Sequence, residues 1–351
     1  MNVNAKPTYC VDLAKNKFQV HTFSARGEVQ QRRTLTRAKF DAFFSNPNTP
    51  RGMVVMEACA SSQFWARRFV RQGHEARLLP AQFVAKHRIG NKNDGNDADA
   101  IWATHQDARV KSVPVKSVEQ QDACAWHRLR ERLVTDRTQC INQIRGLLAE
   151  RGRVAGKGRL GLSALVASVD DPSDEVTPVL ARMIGMIHQQ IEQIDQQIDA
   201  IECELNAMAK RDPVAKRVMT IHGIGVITAT AMAAEIGGRV ERFADARQFA
   251  AGIGITPRED STGETWRLGP ITRRGNPYLR WLLVQCGQSV VQNCRSRDDA
   301  ISKFAMRLLE DKHKKHNTVV VAVANHLARI VYAVIKHGED YRPQGRIAAR
   351  A

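Results

Sequence analysis

Between residues 180 and 208 apolar side chains return at alternating steps of four and three: Leu180, Ile184, Ile187, Ile191, Ile194, Ile198, Ile201, Leu205 and Met208. Only a helix keeps residues so spaced on one face, and a seam held over about four heptads needs an equally long partner. The preceding Arg-rich segment, Glu119 to Glu150, carries its own stripe at Leu129, Leu133, Ile141, Ile144 and Leu148, so the two can pack within one chain. So regular a seam also suits a coiled coil between subunits, and dimerisation is the expected role. Pro213 ends this arm, and a Gly-rich basic stretch, Gly152 to Gly161, interrupts it as a mobile loop where RNA can rest.

Ahead of the arm the period changes. Apolar runs from Thr8 to Leu35 are broken at Lys15 to Lys17 and turn at Gly27, the pattern of a three-stranded antiparallel meander. A short helix with Phe40, Phe43 and Phe44 follows, then a strand at Met53 to Met56, a helix around Phe64 to Val70, a strand at Ala76 to Leu79 and further helix past Asp97. The order β-β-β-α-β-α-β-α is that of a ribonuclease-H-like domain, in which the first and fourth strands are neighbours. Asp12 and Glu57 end two of these apolar runs, where an unpaired carboxylate is costly without a cation. Asp94 and Asp97, three apart, share a helix face, and Asp99 stands close enough to exchange roles with Asp97. Carboxylates so placed suggest a Mg²⁺ site, with lysines such as Lys15, Lys17 and Lys92 as alternative salt-bridge partners.

The last third reads as a separate helical domain. Ile221-His222-Gly223-Ile224-Gly225 before an apolar helix resembles a helix-hairpin-helix turn, whose main-chain amides, here at Gly223 and Gly225, grip DNA backbone. A long polar loop, GIGITPREDSTGETWRLGPITRRGN, then separates apolar helices, and loops of that length are usually functional. Helices at Tyr278 to Val291 and Asn317 to Lys336 close the domain, the last capped by Asn317 and stopped by Gly338. The fold expected is thus α/β plus α: a RuvC-like (ribonuclease-H-like) domain at 1–118, a helical coiled-coil arm at 119–212, and a mostly helical domain at 213–351.

Composition narrows the partner. Among 351 residues, 53 Lys and Arg against 36 Asp and Glu give a net charge of +17, which points to nucleic acid. No stretch reads as long and apolar enough to span a bilayer, and the polar start MNVNAKPTY is no signal peptide, so a cytoplasmic protein is expected. The seven cysteines form no Cys-x-x-Cys pair, which argues against a zinc finger or a disulfide framework.

In this order the segments resemble the DEDD-type insertion-sequence transposases, described as bridge-RNA-guided DNA recombinases, over nearly the whole chain. Asp12, Glu57 and the pair within Lys92-Asn93-Asp94-Gly95-Asn96-Asp97-Ala98 match that family's Holliday-junction-resolvase-like domain. Gly252-Ile253-Gly254-Ile255-Thr256-Pro257, Ser261-Thr262-Gly263 and Ile271-Thr272-Arg273-Arg274-Gly275-Asn276, followed by Leu279-Arg280, match its transposase domain. The resemblance implies a serine nucleophile. Many relatives carry it directly before the glycine, where this chain has Thr262, and Ser261 is the better carry-over because a β-branched hydroxyl is sterically poorer. It further implies Mg²⁺ on Asp12, Glu57, Asp94 and Asp97, a phosphoserine link, DNA of element ends and target as substrate, and a non-coding bridge RNA as guide. Arg273, Arg274 and Arg280 are expected on phosphates, and the two sets of groups are expected to meet in a homodimer or tetramer. Two other classes keep parts of this pattern: a metal-dependent junction endonuclease using water, and a noncatalytic architectural DNA-binding protein.

Overall fold

The computed structural model describes residues 6–88, 94–170, 175–237, 239–263, 265, 267–311 and 314–342, with only the backbone at 94–96. It divides into two compact units, residues 1–118 and 119–351.

In the first unit the alternation of apolar and polar residues sets a mixed sheet. Strands β1 (Thr8–Asp12), β2 (Lys17–Phe23) and β3 (Val29–Thr36) form an antiparallel meander. Helix α1 (Arg37–Ser45) leads to β4 (Met53–Glu57), which returns parallel to β1, and α2 (Ser62–Arg71) leads to β5 (Glu75–Leu79), parallel to β4. The strand order is β3-β2-β1-β4-β5. Because successive side chains on a strand point to opposite faces, both faces are covered. On one, Tyr9, Val11, Phe18, Val54 and Met56 pack with Phe40, Phe44, Trp65 and Phe69 of α1 and α2. On the other, Cys10, Phe23, Val55 and Leu79 meet Val84 of α3 (Ala81–His87) and Ala100 and Ile101 of α4 (Asp94–Gln106). Helix α4 is anchored by Trp102, whose ring stacks on Phe23 at 4.2 Å between centroids.

The second unit is helical. Helix α5 (Val118–Ala149) is followed by α6 (Arg159–Ala167) and α7 (Pro178–Ala209). Thr177 caps α7 by accepting the Leu180 N–H at 3.2 Å, with Pro178 at the first helical position. The heptad seam faces inward: Leu180, Ile184, Ile191, Ile194, Ile198, Ile201 and Leu205 are buried with Leu133, Ile144 and Leu148 of α5 and Leu162 and Leu165 of α6. Arg130 binds Glu202 at 2.6 Å and Arg137 binds Asp195 at 2.7 Å, tying α5 to α7. The seam that argued for a second subunit is therefore satisfied within one chain. Burying each of these leucines and isoleucines contributes about 1.5–3 kcal/mol, a drive toward this hairpin that needs no partner. The Gly152–Gly161 stretch is partly ordered by the same hairpin. Arg145 donates to the carbonyls of Ala155 and Gly156 at 3.1 and 2.8 Å, and α6 begins before Gly161.

Asp212 caps α8 (Pro213–Met219), and a glycine turn leads to α9 (Val226–Ile236) and α10 (Ala246–Ile253). The long polar segment after α10 contains a hairpin, β6 (Pro257–Glu259) with β7 (Leu268–Ile271), rather than an open loop. Helices α11 (Pro277–Asn293), α12 (Ala300–Leu309) and α13 (His316–His337) complete the unit. Lys315, not Asn317, occupies the N-cap of α13, while Gly338 ends it at φ +67°. By length and composition α13 could cross a membrane, contrary to the expectation that no segment could. Its Val319, Val320, Val323, Leu327 and Val331 are buried among the other helices of the unit, which accounts for its apolar character.

The arm joins the rest of its unit through a buried polar contact. His127 of α5 shares hydrogen bonds of 3.1 Å with Tyr278 Oη of α11 and Thr230 Oγ1 of α9. Burial first, then the Arg130 charge, pushes its imidazole down to about 4, so it is neutral at pH 7.

Candidate functional site

In the first unit the parallel register pairs Thr8 with Met53 through Val11 with Met56, and one further step sets Asp12 beside Glu57. Cys10 and Val55 face the side covered by α3 and α4, so by the two-residue period Asp12 and Glu57 face it too. Two carboxylates thus stand at adjacent carboxyl ends of parallel strands, both part-exposed. The turn after β4 reports their nearness. The Cys59 thiol is pushed up to about 11, by desolvation first and then by the negative charges of Glu57 and Asp12. Cys59 as a residue is exposed, so the carboxylates are the informative part of that shift. Ser61, which swings the chain into α2, adopts φ +70°, an uncommon conformation for a residue with a Cβ.

Asp97 lies in the first turn of α4, largely buried, and pairs with Arg88. Asp94 opens the same helix; its side chain, like residues 92 and 93, lies outside the described ones. Asp99 is committed elsewhere, bonded to His21 Nδ1 at 2.9 Å and Arg32 Nη2 at 3.1 Å, because two residues turn a helix by about 200°. Asp99 therefore faces β2 and β3 instead of taking the place of Asp97. Among the described residues no three His, Cys, Asp or Glu side chains converge on one point. Asp12 and Glu57 nonetheless form a pair of hard oxygen donors of the kind Mg²⁺ takes, and α4, which carries the other two, packs on β1 and β4. The residues fit a divalent cation to that extent, with Arg88 supplying the counter-charge on Asp97.

In the second unit Ser261 is presented by the β6–β7 hairpin. Main-chain bonds close the ladder from Arg273 N to Gly254 O at 3.1 Å, through Thr272 N to Thr256 O and Asp260 N to Arg267 O at 2.9 Å each, to a reciprocal Thr262–Thr265 pair at the tip. Ser261 is exposed near that tip. Its Oγ–H donates to Glu259 Oε1 at 3.2 Å, and its oxygen accepts from the Arg267 N–H at 3.3 Å. Thr262, also exposed, uses its main chain to close the turn.

The base of the hairpin is locked by backbone against backbone. A Cβ on Gly254 would lie 2.1 Å from the Arg274 carbonyl oxygen, and one on Gly275 would lie 1.9 Å from that of Gly252. Both glycines have positive φ, and Arg273, just after β7, takes φ +56°. Arg280 on the first turn of α11 completes the lock, its Nη1 donating at 2.9 Å to both Ile253 O and Arg274 O. Sequence reading set Arg280 on phosphate; the structure gives it two carbonyls of its own chain. Arg273 and Arg274 are exposed at the base.

The glycine turn between α8 and α9 has Gly223 at φ +87°, where a Cβ would lie 2.3 Å from Val290 Cγ2. Gly225 is the N-cap of α9 without a side-chain cap, and its amide lies against the buried Cys286 thiol. Helix, turn and helix follow one another here, with Gly223 packed on α11 and open space beside Gly225 among the described residues.

Glu259, Arg88 and Cys59 were missed by sequence reading. Glu259 had a signal, its two-residue spacing from Ser261, which places both on one face only once the segment is recognised as a strand.

Residues 215–302, from α8 through the hairpin to the start of α12, match the family profile described as Transposase IS116/IS110/IS902 family. Over 95% of its length the chain is 38% identical to a probable family 20 transposase of Pseudomonas aeruginosa, covering 98% of that protein. It is 34% identical to the transposase for insertion sequence element IS1111A of Coxiella burnetii, over 95% of this chain and 90% of the relative. With the transposase for insertion sequence element IS1328 of Yersinia enterocolitica the identity is 33%, over 93% of this chain and 96% of the relative.

Proposed function

Since the chain belongs to the IS116/IS110/IS902 family of transposases, we propose that it moves its insertion sequence by cutting and rejoining DNA through a covalent link to Ser261. The observation that carries this reading is the hairpin, which holds one exposed hydroxyl between a carboxylate acceptor and an amide donor. A serine hydroxyl is a weak nucleophile at neutral pH, and such surroundings fix its lone pairs for attack on phosphorus. A phosphoserine link conserves the energy of the broken phosphodiester, so a new strand can displace the serine without ATP.

The sheet order, with a meander followed by parallel strands, supports a ribonuclease-H-like reading of the first unit. Asp12, Glu57, Asp94 and Asp97 would hold Mg²⁺, which when bound polarises the scissile phosphate and stabilises charge on the attacking and leaving oxygens. Asp12 and Glu57 offer their oxygens from adjacent strand ends, while Arg88 orients Asp97. Arg273 and Arg274 at the hairpin base bind backbone phosphates, and the turn at Gly223 and Gly225 lies against the duplex. A non-coding RNA encoded beside the gene chooses the DNA by base pairing, which suits a chain of charge +17 that holds backbone and leaves sequence to pairing. The two sets of groups act together once DNA is bound, in a homodimer or tetramer.

The test incubates the protein with Mg²⁺, RNA from the flanking element and DNA carrying the element junction, and looks on a denaturing gel for a protein–DNA adduct. Adduct lost in both Ser261→Ala and Asp12→Asn is the expected result. Cleavage that persists in Ser261→Ala without an adduct supports instead a water-using junction endonuclease built on Asp12 and Glu57. Absence of any cleavage or exchange, unchanged by Asp12→Asn, supports a purely architectural role.

A further inference from the structure

We infer that Glu259 is the proton acceptor for Ser261, an inference that rests on the serine reading above and deepens it. A serine hydroxyl has one proton and two lone pairs. At Ser261 the proton points to Glu259 Oε1 at 3.2 Å, one lone pair accepts the Arg267 N–H at 3.3 Å, and the residue is exposed. Among the described residues the second lone pair is left for an electrophile arriving from solvent. This is the arrangement of a nucleophile with its base, which in a structure without substrate is often at the long end of hydrogen-bond reach.

Strand periodicity makes the pairing durable. Glu259 and Ser261 are two residues apart along one side of the hairpin, so their side chains share a face, while Asp260 between them points to the other. The Asp260 main chain bonds Arg267 O at 2.9 Å, and the Arg267 amide in turn reaches Ser261, so the opposite strand fixes the hydroxyl from behind. Glu259 itself lies within β6, paired across the hairpin to Leu268. Its carboxylate is thus delivered by regular structure.

In the forward step the Oγ–phosphorus bond forms while the phosphorus–oxygen bond to the departing sugar breaks. The departing oxygen keeps that electron pair and takes a proton from water, and the Oγ proton passes to Glu259. When the hydroxyl of an incoming strand later attacks phosphorus, Oγ leaves with its electron pair and recovers the proton from Glu259, and the incoming hydroxyl gives its own proton to water. Nothing is oxidised or reduced, and Glu259, being exposed, exchanges its proton with water while the covalent link lasts.

The experiment uses the full chain with Mg²⁺, flanking-element RNA and junction DNA, and follows adduct formation against pH in wild type, Glu259→Gln, Asp260→Asn and Ser261→Ala. DNA binding and the unfolding midpoint are measured in parallel. Glutamine keeps an acceptor oxygen for the hydroxyl but cannot take the proton. Glu259→Gln is expected to slow adduct formation on the order of 10²- to 10⁴-fold, with DNA binding and the unfolding midpoint unchanged. The fall in rate expected of wild type on acidification should be absent from Glu259→Gln, and Asp260→Asn should behave as wild type. A Glu259→Gln rate within about twofold of wild type, with the pH profile kept and the adduct abolished in Ser261→Ala, overturns the role of Glu259 and leaves the serine standing. Adduct that persists in Ser261→Ala overturns the serine reading, and this inference with it.

Discussion

The two units hold their reactive groups by opposite means. In the first, Asp12 and Glu57 sit at the ends of strands whose preceding residues are buried on both faces of a sheet, so side-chain packing fixes where the carboxylates stand. In the second, the strands flanking Ser261 are exposed but for the part-buried Ile271, and the hairpin is held at its base, where main chain meets main chain at Gly254 and Gly275 and Arg280 bonds both segments. Burial secures a site against many small changes. A backbone interlock concentrates the same task in a few positions, leaving the rest of the hairpin free to meet a large ligand.

The sharpest way to break this contrast is at the interlock. Gly254→Ala drives a Cβ to 2.1 Å from a carbonyl oxygen at positive φ, and should cost roughly 3 kcal/mol in a denaturant titration and abolish the adduct. Gly263→Ala at the tip, where a Cβ meets none of the described residues within 4 Å, should cost about 1 kcal/mol or less despite its own positive φ. Equal losses at both positions would remove the distinction.

Acid should separate the units next. His127 is held at about 4, below its ordinary value of 6.5, so between these limits the unfolded chain binds the proton that the folded chain refuses. Stability is full above pH 6.5 and falls as pH drops toward 4, by up to about 2–3 kcal/mol in the second unit. His127→Gln should flatten that slope. His74, lowered in the first unit by burial, gives a dependence of the same sign there, and the variant should leave it in place.

A smaller effect distinguishes arginines that look alike in sequence. Arg280→Gln should cut adduct formation roughly 10- to 100-fold through misplacement of the hairpin while the salt dependence of DNA binding stays as it was. Arg273→Ala and Arg274→Ala should each reduce the salt slope by about one with a milder effect on the adduct. The smallest expected change is a test of the carboxylate pair. Alkylation of Cys59 should be slow near pH 7.5 and accelerate a few-fold in Asp12→Asn or Glu57→Gln, because each removes a negative charge that holds the thiol up. Added Mg²⁺ should accelerate it in wild type and not in those variants, a readout independent of DNA.

Much of the first unit was legible because apolar runs report strands and their order is that of a ribonuclease-H-like sheet, in which the strands ending at Asp12 and Glu57 are neighbours. The seam of α7 was equally plain, yet heptad spacing specifies a face and not whose helix covers it, so the partner on α5 could not be chosen from the period alone. The hairpin escaped for a different reason. Its strands bury nothing, so PREDSTGETWRLGP lacks the alternation by which strands are found, and its glycines read as turn formers although two serve close packing between distant segments. The partners of Arg280 are likewise invisible in sequence, since its two carbonyls belong to Ile253 and Arg274, one before the hairpin and one after. The apolar run of α13 is interrupted in sequence by His326 and Arg329, which lie off the buried stripe and hide its length.

A pinned base and an exposed tip make the hairpin a lever. Seven residue steps of extended chain lead from Gly254 to Ser261, at most about 23 Å, so a tilt of about 2.5° at the pivot displaces the serine by about 1 Å. A displacement of that size can cost about 100-fold in rate. The accuracy of aim at the far end is thus set by angular play at the near end, and the two glycines with Arg280 act as the bearing that limits it.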